Sequence, residues 1–174
     1  MSERTSSWLE HERTLAVWMH GASSRAPVFH VLRHVSRLGD GWLWLMVGLV
    51  LPLASPEHGL ACLARMVAVG AVNLLLYLVI KRFVARPRPY RCCPGIEART
   101  KSLDEFSFPS GHVLHAVAFS IILDAYFPHL AWVTWPMVAL IAASRVILGL
   151  HFVSDVLVGI AIGVVTATTS FNFF

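Results

Sequence analysis

The sequence predicts an all-α integral membrane protein, and three observations support that fold class. The mean hydropathy of the 174-residue chain is +0.66. Only 14% of its residues are charged, whereas soluble domains average about 25%. Five apolar stretches approach the roughly 20 residues that a spanning helix needs. The length suits a single domain, which we expect to cover residues 1–174.

The five predicted spans follow one another from Ser36 to near the C-terminus. The first apolar run, residues 41–55, is short, so its helix is expected to begin near Ser36. The other four spans are predicted at residues 60–80, 110–127, 131–147 and 155–173. Proline and glycine in the turns at 56–59 and 128–130 suit helix breaks.

Residues 1–38 have a different composition, with arginines interleaved among aromatic and aliphatic side chains. That mixture suits helices lying in the plane of the membrane interface, so we predict an amphipathic interfacial segment. The alternatives are a sixth span, which Gly21, Arg25 and Pro27 would interrupt, and a solvated, poorly ordered N-terminus. No small-residue cleavage site follows an apolar run here, so no cleavable signal peptide is expected.

The formal net charge of +4 indicates an anionic partner. Nucleic acid is not expected for a chain mostly inside a bilayer, which leaves anionic lipid or an anionic substrate. Much of the charge lies in the loop at residues 81–109, which counting of spans places on the same side as the N-terminus and residues 148–154. The cysteines, Cys62, Cys92 and Cys93, have no zinc-site spacing and no expected chemical role.

The basic loop opens with KRFVARPRP, residues 81–89. Pro87 and Pro89 prevent a regular helix after Lys81. Lys81 and Arg88 can therefore converge from a helix end and a stiff extended segment. Arginine binds phosphate with two N–H groups and lysine acts as a point charge. By itself the stretch fits equally well a basic patch beside a span that contacts anionic lipid.

A second pattern, FPSGHVLH at residues 108–115, stands at the start of the third predicted span. Ser110 is a plausible N-cap, and Gly111 allows a close backbone approach to a ligand. The free N–H groups of a helix N-terminus form an anion site. His112 in the first turn can donate a proton there, and it has no acidic neighbour in its own pattern. The role of His115, one turn later, is left open.

The third pattern, SRVILGLHFVSD at residues 144–155, carries Arg145, His151 and Asp155 in an apolar environment. Ionisable side chains are costly in or near a bilayer and are candidates for function. Asp155 can accept a hydrogen bond from one imidazole nitrogen of His151 and leave the other nitrogen free as a base or nucleophile. Arg145 reaches the same site if residues 146–150 turn back. A purely structural His–Asp pair is the alternative.

Together the three patterns supply cations, a helix N-terminus and two histidines. Cations and N–H donors match the oxygens of a phosphoryl group in transfer. One histidine can attack phosphorus while the other protonates the leaving oxygen. No metal or other cofactor is required, because the protein's own cations balance the charge.

The sequence resembles the type 2 phosphatidic acid phosphatase (PAP2) superfamily in three motifs. The first, Lys, six residues, Arg-Pro, is matched by Lys81, Arg88 and Pro89. The second, Pro-Ser-Gly-His, is matched by residues 109–112. The third, Ser-Arg, five residues, His, three residues, Asp, is matched by residues 144–155. The resemblance runs from about residue 36 to the C-terminus.

The resemblance implies a PAP2-like helical bundle that acts as a metal-independent phosphatase. His151 would be the nucleophile, Asp155 its orienting carboxylate, and His112 the general acid. The phosphate-binding residues would be Lys81, Arg88, Ser110, Gly111 and Arg145. Many membrane members have six spans, whereas five are counted here.

The interpretation is a lipid phosphatase in the bacterial cytoplasmic membrane. Its substrate would be a polyprenyl diphosphate, phosphatidic acid or phosphatidylglycerophosphate, and its site would face the periplasm by resemblance to small bacterial members. Two other classes stay open. One is a non-catalytic anion or lipid-phosphate transporter. The other is a metalloenzyme using His112, His115, His151 and Asp155 as ligands.

Overall fold

The computed structural model of the protein describes residues 3–102 and 104–173, with side chains from Trp8 onward. Helices are the regular structure throughout that part of the chain, which confirms the all-α prediction. In order they are α1 (Glu3–Gly21), α2 (Ala26–Arg37), α3 (Leu43–Ala54), α4 (Pro56–Val84), α5 (Pro89–Cys92), α6 (Gly111–Tyr126), α7 (Ala131–Ile147) and α8 (Val153–Ser170).

Four helical stretches of the described chain are long and apolar enough to cross a membrane. They are Ala26–Ala54, Pro56–Cys92, Pro128–Ile147 and Val153–Ser170. The span expected at 110–127 corresponds to α6, which is apolar but has only 16 residues. It packs against α4, α7 and α8, so most of its surface meets protein rather than lipid.

The first spanning stretch begins ten residues earlier than the expected start at Ser36, because helical structure continues from α2 into α3. The join is a π-helical segment, Leu38–Trp42, in which Gly41 has φ of 119°. Only glycine adopts that backbone angle without strain, so Gly41 permits the kink at which α2 and α3 join. The interfacial placement of residues 1–38 stays a prediction, and residues 26–38 of that segment also belong to the candidate span Ala26–Ala54. The structure shows that α1 packs on α7 and α8.

α6 and α8 approach each other closely because two glycines of α8 face the α6 backbone. A Cβ atom on Gly159 would lie 2.8 Å from the carbonyl oxygen of Ser110, and one on Gly163 would lie 2.6 Å from that of Leu114. The contact brings the two helix N-termini together, and the Ser110 N–H donates to the Asp155 carbonyl at 3.0 Å. The second and third sequence motifs therefore meet at one end of the bundle.

The segment between α7 and α8 turns back on itself, as the sequence required for Arg145 to reach the site. The N–H groups of Leu150 and His151 both donate to the Arg145 carbonyl, at 3.1 and 3.0 Å. Gly149 has φ of 75° in this turn. His20 of α1 supports it from outside. Its Nδ1 lies 2.9 Å from the Ile147 carbonyl oxygen, and its Nε2 accepts the Glu97 N–H at 3.3 Å.

Candidate active site

Most of the residues predicted for the site are buried together where α4, α6, α7 and α8 meet the basic loop. Each of the following is at most 4% exposed: Lys81, Arg88, Ser110, Arg145, His151 and Asp155. Burying three cations in one place is costly unless anionic or dipolar groups compensate them. The surroundings of each cation therefore indicate what the site is built to hold.

Lys81 and Arg88 converge on one carboxylate, that of Asp104. The Lys81 ammonium and the Tyr77 hydroxyl both donate to it, and Arg88 Nη2 donates at 2.8 Å. Lys81 also donates to the Phe106 carbonyl at 2.7 Å. Asp104 thus fixes the direction of both cations that the first motif contributes.

Arg88 and Lys81 do not use all of their N–H groups in contacts within the protein. Arg88 uses Nε for the Asp104 carbonyl at 3.2 Å, and Nη1 for the Leu150 carbonyl at 2.7 Å and His151 Nε2 at 3.2 Å. Since a guanidinium has five N–H groups and an ammonium three, one N–H remains on each of Arg88 and Lys81 after the contacts within the described chain. Each can donate to a bound anion.

Asp104 stays ionised in this setting. Burial by itself would raise the pKa of its carboxyl. The hydrogen bonds from Lys81 and Tyr77 and the charge of Arg88 outweigh burial and hold that pKa at about 2. The carboxylate therefore balances part of the buried positive charge at every physiological pH.

Arg145 lies on the other side of the site, held through Ser36 of α2. Its Nη1 donates to the Ser36 hydroxyl at 2.5 Å, and its buried Nε has no hydrogen-bond partner within the described chain. A buried guanidinium with an unused donor is available for an anion.

His151 lies between this cation group and Asp155. Its Nδ1 is 3.6 Å from Asp155 Oδ2, which is longer than a hydrogen bond. The hydrogen bond expected from the sequence is therefore absent from this conformation. Asp155 instead accepts the Phe152 N–H at 2.8 Å and Arg86 Nη1 at 2.8 Å. Contacts of this kind commonly tighten when substrate binds.

The environment favours neutral His151. Burial and then the positive charges of Arg145, Arg88 and Lys81 hold the pKa of its imidazole well below the ordinary value. Because Arg88 Nη1 is a donor, the contact at His151 Nε2 requires a lone pair on that nitrogen. The proton of the neutral ring is then on Nδ1, facing Asp155.

The N-terminus of α6 supplies further donors. Ser110 stands at the N-cap position, but its buried hydroxyl makes no cap hydrogen bond and has no partner in the described chain. A Cβ atom on Gly111 would lie 2.6 Å from the Tyr77 ring, so only glycine fits there.

His112 has an acidic partner that sequence inspection missed. Its Nε2 lies 2.5 Å from Oδ1 of Asp40, in the π-helical segment between α2 and α3. Asp40 is 72 residues away in sequence, and only the fold brings the two together. The carboxylate holds the ring, and its charge offsets in part the burial and the Arg145 charge that disfavour a protonated His112.

Arg86 and Glu12 form a second group of residues that the motifs did not indicate. Arg86 Nη2 pairs with Glu12 at 2.5 Å, and Arg86 Nη1 donates to Ser154 at 2.6 Å and to Asp155. Glu12 also accepts the Ser154 N–H at 3.1 Å. Through these contacts α1 and the basic loop support the start of α8. The arginine lay in the first sequence pattern, but the glutamate had no distinguishing signal.

The residues considered as metal ligands do not form a ligand group. Within the described chain no cluster of three or more His, Cys, Asp and Glu side chains could hold an ion. Among the four candidates, His115 Nδ1 instead contacts the Gly111 carbonyl at 2.8 Å.

Two cavities between α3, α4 and α6 form an apolar groove that leads away from His112. The upper cavity, of about 490 Å³, is lined by Asp40, Tyr77 and His112 and by apolar side chains. The lower, of about 380 Å³, shares Trp44, Leu45 and Phe119 with it and continues along α3 and α4. The groove is suited to a hydrocarbon chain whose polar end is at His112.

The fold and the site together define a membrane-embedded phosphatase. The fold is a helical membrane bundle, and the site combines buried cations, a helix N-terminus and two histidines that each lie beside a carboxylate. Comparison with known proteins agrees. Residues 60–174 match the PAP2 superfamily. The decaprenylphosphoryl-5-phosphoribose phosphatase of Mycobacterium tuberculosis is 32% identical over 142 residues, which cover 80% of this chain and 76% of the relative. Phosphatidylglycerophosphatase B of Bacillus subtilis is 34% identical over 110 residues, covering 56% and 51%.

Two crystal structures have the same fold. The structure of LpxE from Aquifex aeolicus superposes with a TM-score of 0.79 at 24% identity, covering 92% of this chain and 94% of that one. A PAP2-type phosphatidylglycerolphosphate phosphatase from Bacillus subtilis gives 0.72 at 25% identity, covering 99% and 87%.

This chain belongs to the PAP2 superfamily. It is a multi-pass membrane protein and a phosphatase of lipid phosphates, so the transporter that the sequence patterns left open is not supported.

Proposed function

We propose that the protein hydrolyses lipid phosphates or diphosphates without a metal, through a phosphohistidine on His151. The observation that carries the proposal is the placement of His151. Its Nε2 faces Arg88, and its Nδ1 faces Asp155. A nucleophile directed at a cation-lined anion site and oriented by a carboxylate is the arrangement that phosphoryl transfer needs.

In the first step the Nε2 lone pair attacks phosphorus and the bond to the leaving oxygen breaks. His112 donates a proton to that oxygen, and Asp155 stabilises the positive imidazole ring of His151. In the second step water attacks the phosphohistidine, His112 accepts its proton, and the P–N bond breaks to release phosphate. Lys81, Arg88, Arg145, Ser110 and the Gly111 N–H hold the phosphate oxygens in both steps.

The groove between α3 and α4 supports a lipid substrate, since it begins beside His112, where the leaving group would be. The names of the relatives place decaprenylphosphoryl-5-phosphoribose and phosphatidylglycerophosphate among their substrates. For this chain we propose a lipid of that general kind, namely a polyprenyl diphosphate, phosphatidic acid or phosphatidylglycerophosphate. We also propose that it resides in the bacterial cytoplasmic membrane with its site on the periplasmic face.

Radiolabelled substrate tests the mechanism. An acid-labile, base-stable label should accumulate on His112→Ala and be absent from His151→Ala, because only His151 accepts the phosphoryl group. Loss of the general acid should slow cleavage of a lipid phosphomonoester by about 10²–10⁴-fold. The burst of p-nitrophenol in the first turnover of a p-nitrophenyl ester should be affected much less, because that leaving group needs no proton, whereas later turnovers stay slow because His112 is also the base of the second step. Label on His151→Ala, or loss of wild-type activity in EDTA with recovery on adding a divalent metal, would refute the mechanism.

A further inference from the structure

A polar cavity lies on the other side of Asp40 from the apolar groove. It has a volume of about 760 Å³ and is lined by parts of α2, by Tyr90 and by loop residues that include Lys101 and Ser102. Tyr90 and Ser102 are joined through their hydroxyls at 3.2 Å. No sequence motif described above falls on this cavity.

The cavity has an excess of positive charge. Arg33 and Arg37 lie on one face of α2, four residues apart, and Lys101 joins them from the loop. None of the three forms an ion pair within the described chain. The Nε of Arg33 is buried without a hydrogen-bond partner there. Asp40 is the carboxylate on the lining, and it is engaged by His112 at 2.5 Å.

Asp40 also lines the apolar groove, so the polar cavity and the groove meet beside His112. In the proposed mechanism His112 protonates the leaving oxygen, so the leaving group must extend from that point. The hydrocarbon part of the leaving group can lie in the apolar groove. Any anionic part would meet Arg33, Arg37 and Lys101 in the cavity.

We propose that this cavity binds a second phosphate, carried by the leaving group of the substrate. The inference rests on the proposed function and narrows its substrate class. The preferred lipids would carry one phosphate for cleavage and another between it and the hydrocarbon chain, as in a lipid diphosphate or a phosphodiester headgroup that ends in a phosphomonoester. Phosphatidic acid, with one phosphate, would leave the cavity unused.

The test compares substrates with matched chains in nonionic detergent. Phosphatidylglycerophosphate is set against phosphatidic acid, both dioleoyl, and farnesyl diphosphate against farnesyl phosphate. In the variant Arg33→Gln/Arg37→Gln/Lys101→Gln, kcat/KM should fall about tenfold or more on at least one of the two-phosphate lipids, since each charge-assisted hydrogen bond is worth about that factor. It should change little on both one-phosphate lipids.

The control variant is Arg13→Gln/Arg25→Gln/Arg82→Gln. It removes the same charge from exposed positions outside the cavity and should behave as wild type. If the triple cavity variant does not fold, Lys101→Gln alone should show a smaller effect of the same selectivity. Equal losses on all four lipids, or no loss on any, would overturn the inference while leaving the proposed function intact. If the triple cavity variant loses activity on all four lipids, and only when they are presented in phosphatidylglycerol vesicles, then Arg33, Arg37 and Lys101 bind the anionic membrane surface and not the substrate. Failure of the wild-type protein to cleave any of the four would instead contradict the proposed function.

Discussion

At the scale of single residues, Asp104 shows how a carboxylate can serve a phosphate site. It accepts from Lys81, Arg88 and Tyr77 and leaves one N–H on each of the two cations for an anion. We expect Asp104→Ala to lower kcat/KM by about 10²-fold, because misdirected cations lose the geometry on which catalysis depends. The rate of phosphate release from a lipid phosphate measures this.

Glu105→Ala is the matched control for Asp104→Ala. Glu105 is the neighbouring acid, and it forms an exposed pair with Arg91 at 2.9 Å. Exposed pairs contribute little, so activity should be unchanged. Higher activity in Asp104→Ala would show that the carboxylate competes with phosphate instead of orienting the cations.

Asp104 also gives a pH dependence of stability. Its folded-state pKa of about 2 lies below the value of about 3.9 in an unfolded chain. A depressed carboxyl pKa stabilises the fold above the unfolded value, and that contribution is lost as the pH falls towards 2. The difference in Tm between wild type and Asp104→Asn should therefore be constant from pH 7 to 5 and shrink below about pH 4. A difference that grows below pH 4 would contradict it.

Asp40 is expected to act through His112. Asp40→Asn keeps the size of the side chain but removes the charge that stabilises a protonated ring. We expect roughly a tenfold loss on a lipid phosphomonoester, part of the full effect of a general acid, and little loss in the first-turnover release of p-nitrophenol from p-nitrophenyl phosphate. An equal loss on both substrates would mean that Asp40 has only a structural role.

At the residue scale, Asp104 and Asp40 are the parts of the site that the sequence did not predict. The three motifs are local patterns, so the cations and histidines could be predicted from spacing. Asp40 lies in a different helical segment from His112, and no spacing rule connects them. Asp104 is close to the second motif, but it is one of three acids in a loop with seven basic residues. Acidic partners that no spacing rule connects to the motif residues can be identified only from the packed structure.

At the scale of helices, the site depends on how closely α8 lies against α6. Gly159→Ala would place a Cβ atom 2.8 Å from the Ser110 carbonyl oxygen, so one helix must shift. Overpacking of this kind costs about 1–3 kcal/mol. We expect a lower Tm together with a loss of activity of about 10²-fold, because Asp155 and Ser110 separate.

Gly21→Ala is the control for that variant, since Gly21 is helical and a Cβ atom there meets nothing within 4 Å. It should keep both Tm and activity. Normal activity in Gly159→Ala would show that the site tolerates a shift of α8.

Hydropathy predicted which stretches would be helical more reliably than where they begin. The apolar runs at 60–80 and 131–147 lie within observed helices, and the run at 155–173 extends three residues beyond the end of α8 at Ser170. The first span starts earlier than expected, because hydropathy does not detect a polar π-helical join such as Leu38–Trp42. The short α6 was counted as an ordinary span because composition does not reveal that its neighbours are helices rather than lipid.

At the scale of the whole molecule, the groove between α3 and α4 connects the site to the hydrocarbon layer. Val67, on the lower part of the groove, is 63% exposed and has room for a larger side chain. We expect Val67→Trp to displace part of a long lipid chain. Losing contact with about two methylene groups should reduce kcat/KM on dioleoyl phosphatidic acid roughly tenfold.

Chain length separates this effect from damage to the chemistry. Val67 lies ten residues, or about 15 Å, along α4 from Tyr77, which lines the groove beside His112. A six-carbon acyl chain is shorter than that, so Val67→Trp should cleave dihexanoyl phosphatidic acid at the wild-type rate. Leu53→Trp is the matched control, because Leu53 is 84% exposed and lines neither cavity of the groove. It should leave both substrates unaffected. If Val67→Trp and Leu53→Trp behave alike on the long-chain lipid, the hydrocarbon chain binds elsewhere on the bundle, and the leaving group cannot extend from His112 along α3 and α4.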